Sequence, residues 1–155
     1  MTERHVDFDY EVLTLNELSA ELQKIVFAAK EMTKNAYAPY SGFKVGAAVL
    51  LENGVVVRGT NQENVAYPSG LCAERVALFS ANANYPDVAP VAMAIAAYSD
   101  GKFTDFPVTP CGACRQVMVE IEKRFGKSFE VLMCFDGGVV RVKRASELMP
   151  LAFDF

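Results

Sequence analysis

Phe129-Glu130-Val131-Leu132-Met133-Cys134-Phe135-Asp136-Gly137-Gly138-Val139-Val140-Arg141-Val142 reads as two apolar strands on a short link. A parallel crossover needs about a dozen residues or more, so Asp136-Gly137-Gly138 allows only an antiparallel pair. Upstream, Cys111 to Phe125 carries a helical pattern and is stopped by Gly126, a residue suited to the position just past a helix end. Val91 to Tyr98 is a continuous apolar run of strand length, as expected of a strand buried on both faces. Leu71 to about Asn82 reads as another helix, with Cys72 and Glu74 in its first turn. Val45 to Leu51 and Val55 to Arg58 flank Asn53-Gly54, a two-residue hairpin signal, and give a further antiparallel pair. Thr14 and Glu17 form a capping-box pair ahead of Leu18, Leu22, Ile25, Ala29 and Met32, which recur at helical spacing up to about Lys34. A short helical tail from Ser146 ends at Pro150. The order is helix, two strands, helix, strand, helix, two strands, tail. It describes an α/β chain with one five-stranded sheet and helices packed on its faces.

The 155 residues fit a single domain, 1–155, long enough to bury a core without disulfides. Apolar residues make up 52% of the chain, yet the longest apolar run falls well short of the roughly 20 residues of a membrane helix. A soluble protein with no membrane partner is expected. Met1-Thr2-Glu3-Arg4-His5, followed by several acids, lacks the basic-then-apolar order of a secretory signal, which points to a cytoplasmic location. In a reducing compartment the 4 cysteines read as metal ligands, catalytic groups or core residues, not as a disulfide framework. The net charge of −4 disfavours nucleic acid as a partner, because gripping a phosphate backbone depends on Lys and Arg. A small neutral substrate suits the chain better.

Cys111-Gly112-Ala113-Cys114 is a C-x-x-C pair, open by itself between a metal clip, a redox disulfide and coincidence. Cys72 at a second helix start shifts the balance: two helix N-termini meeting at one point would present three thiolates in a positive field that lowers thiol pKa. Three thiolates with an open fourth position make a catalytic zinc site. The competing reading is a closed structural site completed by Cys134. Against it, Met133-Cys134-Phe135 is an apolar strand segment, where a free Cys is most often a small core residue. His5, the only histidine, lies in the polar N-terminal segment, so no histidine ligand is expected. Glu74 stands two residues after Cys72, placed to reach a water at the metal without ligating it, as a proton shuttle must. An acid placed in a helix's first turn for dipole reasons is the alternative.

Cys72-Ala73-Glu74-Arg75 followed by Pro110-Cys111-Gly112-Ala113-Cys114-Arg115-Gln116 closely resembles the signature of the small, homotetrameric, zinc-dependent cytidine deaminases. The resemblance runs from about Tyr37 to Phe153. Ala38-Pro39-Tyr40-Ser41-Gly42-Phe43 with Val45-Gly46-Ala47-Ala48 is similar to that family's first strand and lead-in, and Asn61-Gln62-Glu63-Asn64 to its nucleoside-binding loop. Tyr67-Pro68 resembles the approach to the zinc helix, and Leu148-Met149-Pro150 with Phe153 the C-terminal tail.

The resemblance implies a three-layer sandwich, a five-stranded mixed sheet with helices on both faces, and one zinc ion per subunit on Cys72, Cys111 and Cys114. It implies hydrolytic deamination of cytidine and 2′-deoxycytidine in pyrimidine salvage, with Glu74 taking a proton from the attacking water and passing protons to N3 and to the leaving ammonia. Asn61 and Glu63 would hold the ribose 3′-hydroxyl, Phe43 would line the base pocket, and backbone groups of Ala73 and Thr109 would read the cytosine edge. Arg75 would donate to the zinc thiolates. A homotetramer with shared active sites is implied too, Phe153 packing on the base in a neighbour's pocket and Tyr67 contributing across an interface. Without the resemblance, Asn61 and Glu63 read as a polar turn, Phe43 as a core aromatic and Arg75 as a surface ion-pair residue.

Three rivals remain at this level. Blasticidin-type antibiotic deaminases share the three cysteines and the glutamate, but Asn61-x-Glu63-Asn64 favours a ribose. A non-catalytic zinc module would recruit Cys134 and leave Glu74 idle. A polynucleotide deaminase is disfavoured by the charge and by the link at Asp136, since the fifth strand of polynucleotide-editing relatives runs parallel.

Overall fold

A computed structural model describes residues 1–154. Its strands are Glu11–Leu13 (β1), Lys44–Leu51 (β2), Val56–Thr60 (β3), Pro90–Ser99 (β4), Lys102–Phe103 (β5), Glu130–Phe135 (β6) and Gly138–Val142 (β7). Its helices are Ala20–Met32 (α1), Ala73–Asn84 (α2) and Gly112–Phe125 (α3). One sheet runs in the order β1-β7-β6-β4-β2-β3, with β5 added alongside β4. β4 and β6 pair in parallel, across the connection that carries α3. The short link after β6 gives the antiparallel β6–β7 ladder that its length requires.

The side-chain period of two divides the apolar strands between two layers of helix. Ala47, Val49, Leu51, Met93, Ile95, Val131 and Met133 pack with Ala77 and Leu78 of α2 and Met118 and Ile121 of α3. Their neighbours in sequence, Ala48, Leu50, Ala92, Ala94, Leu132 and Cys134, pack with Ile25, Val26 and Ala29 of α1 on the opposite face. Hence β4 has no polar face and its sequence reads as an unbroken apolar run. The architecture is the expected three-layer sandwich. Among the described residues, no helix is long and apolar enough to cross a membrane.

The sheet has seven strands instead of five. β5 follows a turn in which Asp100 and Gly101 both have positive φ, 52° and 80°. The Asp-Gly pair is a hairpin signal in its own right, masked because the returning strand is only two residues long. β1 pairs with β7, and Glu11 forms an ion pair with Arg141 directly opposite it. No local pattern marks such a strand, because its partner lies at the other end of the chain. The Thr14–Glu17 capping pair closes a 3-10 turn, Leu15–Glu17, and not the helix itself. Ser19 caps α1, its Oγ accepting from the Leu22 N–H. The β2–β3 turn also differs from the two-residue form: Leu51 N–H donates to Val55 O across three residues, with Gly54 at φ 82°.

Candidate active site

Both thiol-bearing helices begin at a cysteine. Cys72 is the N-cap of α2 and Cys111 the N-cap of α3, each with extended backbone, and Cys114 is the third residue of α3. The two positive helix ends therefore converge on the sulfurs. Sγ of Cys111 lies 3.7 Å from that of Cys72 and 3.5 Å from that of Cys114, and all three sulfurs fall within 4.8 Å of one another. A tetrahedral ion bonded at about 2.3 Å to each sulfur needs them about 3.8 Å apart, so the donor set fits zinc. The protonation balance agrees. The hydrogen bond from Cys114 and the guanidinium of Arg75 pull the Cys72 thiol down to about 5, whereas the same contact with Cys72, together with burial, pushes the Cys114 thiol up. A divalent cation bound there would sustain thiolates on the cluster.

Arg75 lies one turn along α2 from Cys72, and its Nη2 donates to the Cys72 Sγ at 3.6 Å. This contact with Cys72 raises the pKa of the guanidinium further, so the positive charge stays fixed beside the sulfurs. The surface ion-pair alternative finds no carboxylate partner for Arg75 among the described residues.

Cys134 lies apart. It packs on the α1 face of the sheet, whereas Cys114 belongs to the α2/α3 face. Its thiol, pushed up to about 12 by burial, meets main-chain groups, the Leu132 carbonyl and the backbone of Ile95. The metal cluster among the described residues contains three cysteines and excludes Cys134, as the core reading expects.

Glu74 is 4% exposed, and burial pushes its carboxyl up to about 7. It opens on a cavity of about 310 Å³ lined also by Cys72, Cys111, Ala73, Thr109, Phe43, Asn61 and Glu63. Seven of the residues singled out in the sequence thus meet Glu74 in one cavity, although they come from four separate stretches of chain. Ser41 and Val45, from the quoted lead-in and first strand, complete the lining with Val108, which no sequence motif marks.

Asn61 and Glu63 are already at work within the chain. The Asn61 Oδ1 accepts from Val45 N–H at 2.8 Å and its Nδ2 donates to Phe43 O at 2.8 Å. Glu63 accepts from the N–H groups of Tyr40 and Ser41 and from the Ser41 hydroxyl. The Ser41 hydrogen bond, chiefly, holds its carboxyl below the usual 4.5. A primary amide offers about four hydrogen-bonding sites and a carboxylate about four, so each side chain keeps capacity for an added hydroxyl. Gln62, between them, turns the other way and donates to Thr60 Oγ1 at 2.6 Å.

Tyr67 and Phe153 lie outside this cavity. Tyr67 borders an adjoining open cleft with Tyr40, Leu71 and Arg75, and stacks edge-on against Tyr40 at 6.0 Å. Phe153 is 69% exposed, with its main chain held by Gln116 of α3.

Residues 19–126 match the family model described as the cytidine and deoxycytidylate deaminase zinc-binding region. The chain is 43% identical over 131 residues to the cytidine deaminase of Halalkalibacterium halodurans, covering 84% of this chain and 92% of that one. It is 38% identical to the cytidine deaminase of Sporosarcina psychrophila over 86% of this chain and 91% of that one. The crystal structure of cytidine deaminase from Burkholderia pseudomallei superposes with a TM-score of 0.71 at 43% identity, over 84% of this chain and 97% of that one. Matches of this extent reach well beyond the cysteine motif, and the chain belongs to the cytidine and deoxycytidylate deaminase zinc-binding family.

Proposed function

We propose that the chain hydrolytically deaminates cytidine and 2′-deoxycytidine to uridine and 2′-deoxyuridine, releasing ammonia. The observation that carries this reading is the buried Glu74 opening, beside the three-sulfur cluster, on one cavity with Asn61 and Glu63. Cys72, Cys111 and Cys114 would hold zinc, which would supply the Lewis acidity that brings the pKa of water toward neutrality. Glu74 takes the proton from the water whose oxygen bonds to C4, and delivers a proton to N3. It then takes the remaining proton from that oxygen and passes it to the exocyclic amine, so that C4=O forms as the C4–N4 bond breaks and ammonia leaves. A carboxyl raised by burial suits a group that must both accept and give a proton near neutrality. Asn61 and Glu63 hold the sugar with their spare hydrogen-bonding capacity, Phe43 walls the base, and the main chain at Ala73 and Thr109 distinguishes cytosine from uracil. Arg75 offsets the negative charge of the thiolates.

Purified protein incubated with cytidine, deoxycytidine, free cytosine and blasticidin S should release ammonia from the two nucleosides alone. Release from blasticidin S alone, or from none of the four, would overturn the reading.

In the same reading, residues 1–155 act as one domain in the cytoplasm, in pyrimidine salvage, and assemble into a homotetramer whose sites combine neighbouring copies. Its support is the exposed apolar surface around the mouth, Tyr40, Tyr67 and Leu71, and an exposed Phe153 that lines neither the cavity nor the cleft. Mixing Glu74→Ala subunits with subunits lacking Leu151 to Phe155 should restore activity above the mean of the parents. No gain after proven subunit exchange would refute shared sites.

A further inference from the structure

The exposed Phe153 ring is carried by a tail that the zinc helix itself holds in register. Arg115, one residue after Cys114, reaches in two directions. Its Nε donates to Pro110 O at 2.7 Å, just before Cys111, and its Nη1 donates to Leu148 O at 2.9 Å, at the root of the tail. Gln116 comes next. Its Nε2 donates to Phe153 O at 2.9 Å, while its Oε1 accepts from Phe153 N–H at 3.1 Å. A side-chain amide shaped like a peptide group thus pairs with both polar groups of one residue, as a neighbouring strand would. Lys123, two turns further along α3, pairs with Asp154. Leu151, between these anchors, is 92% exposed, so the tail has little apolar packing to fix its path.

Fixing both backbone groups of Phe153 fixes the direction of its Cα–Cβ bond, in a residue that is 69% exposed. We propose that Gln116 is a positioning residue, clamping the Phe153 main chain so that the ring is presented, already ordered, to the pocket of a neighbouring copy. This inference rests on the shared-site reading of the function. Without the clamp, the tail must be ordered each time a nucleoside is bound, and the binding step carries that entropic cost. The chemistry at Glu74 is untouched.

The test compares Gln116→Met, which keeps chain length and volume but cannot pair with a peptide group, with Phe153→Ala and with the double variant. Gln116→Met should raise the KM for cytidine about two- to tenfold, the cost of one freed side chain, with kcat within about twofold and zinc content unaltered. In the double variant the two changes should not multiply, because both act through the same ring. Amide exchange at Phe153 should rise sharply in Gln116→Met, and Gln116→Glu, which keeps the acceptor alone, should fall between it and the parent. If Phe153→Ala raises KM and Gln116→Met does not, the clamp is overturned and shared sites stand. If Phe153→Ala leaves KM unchanged, the shared-site reading falls, and the positioning role falls with it.

Discussion

Gly59→Ala offers a way to move α2 without replacing any residue that lines the cavity. Gly59 lies on β3 directly under α2, and a Cβ there would stand 2.6 Å from Ala73 O and 2.5 Å from Ala77 N. Ordinary van der Waals contact begins at about 3.4 Å, so α2 must retreat by about 0.9 Å. Ala73 lies between Cys72 and Glu74, so the displacement is delivered at the proposed metal ligand and the proposed proton carrier together. Overpacking of this kind costs about 1–3 kcal/mol of stability. A misplacement near 1 Å at reacting groups costs about 100-fold in rate. Urea midpoints, zinc per subunit and kcat/KM per zinc-loaded subunit should therefore show a modest stability loss with a kcat/KM at least about tenfold lower. Gly46→Ala is the control on the other face: its Cβ would stand 2.1 Å from Ala29 O, in α1, which lines none of the cavity. It should destabilise at least as much, while its folded, zinc-loaded fraction keeps kcat/KM within about threefold. Parental kcat/KM in Gly59→Ala, or equal losses in the two variants, would refute the idea that the seat of α2 sets the site.

Glu74→Gln should keep zinc and fold but lose about 100- to 10,000-fold in kcat, since one carboxyl serves as both acid and base; substantial turnover by zinc-replete protein would remove it from the mechanism. Cys72→Ala should lose metal and activity together, whereas Cys134→Ala should keep both, and the Cys134 thiol, pushed up to about 12, should resist alkylation at pH 8 in the folded protein. Loss of zinc from Cys134→Ala would revive the structural-site reading. Glu63→Ala should cost more with cytidine than with its 3′-deoxy analogue, and equal losses would confine Glu63 to the Tyr40–Ser41 loop. Because the Ser41 hydrogen bond depresses the Glu63 carboxyl, the order it gives that loop should persist as pH falls to 4.5 and disappear only below it. Amide exchange at Tyr40 and Ser41 against pH reads this directly, and loss of protection already above pH 4.5 would contradict it.

The parts of the fold that were legible in the sequence are those whose signal is local. The unbroken run in β4 speaks of two buried faces, and the link after β6 is too short for anything but a reversal. The capping box at Thr14 is equally local, yet it points to a helix start ahead of the true one at Ala20. The motif satisfies the same backbone groups whether a 3-10 turn or an α-helix follows. β1 was illegible for the opposite reason: three residues gain strand identity only from β7, with Glu11 set against Arg141 from the far end of the chain.

The same division runs through the site. The cysteines and Glu74 are legible because helix starts impose spacing on them, and spacing survives in one dimension. The duties of Asn61 and Glu63 within the chain are not, since their partners Val45, Phe43 and Ser41 lie 16 to 22 residues away and are met only when the loops close. This changes what the resemblance implies about that loop. If the sugar contacts proposed for them hold, these side chains cannot be replaced one function at a time, because removing either also releases hydrogen bonds to Tyr40, Ser41, Phe43 or Val45. A nucleoside lacking the 3′-hydroxyl separates the two duties, since it leaves the loop bonds in place and removes only the ligand's share.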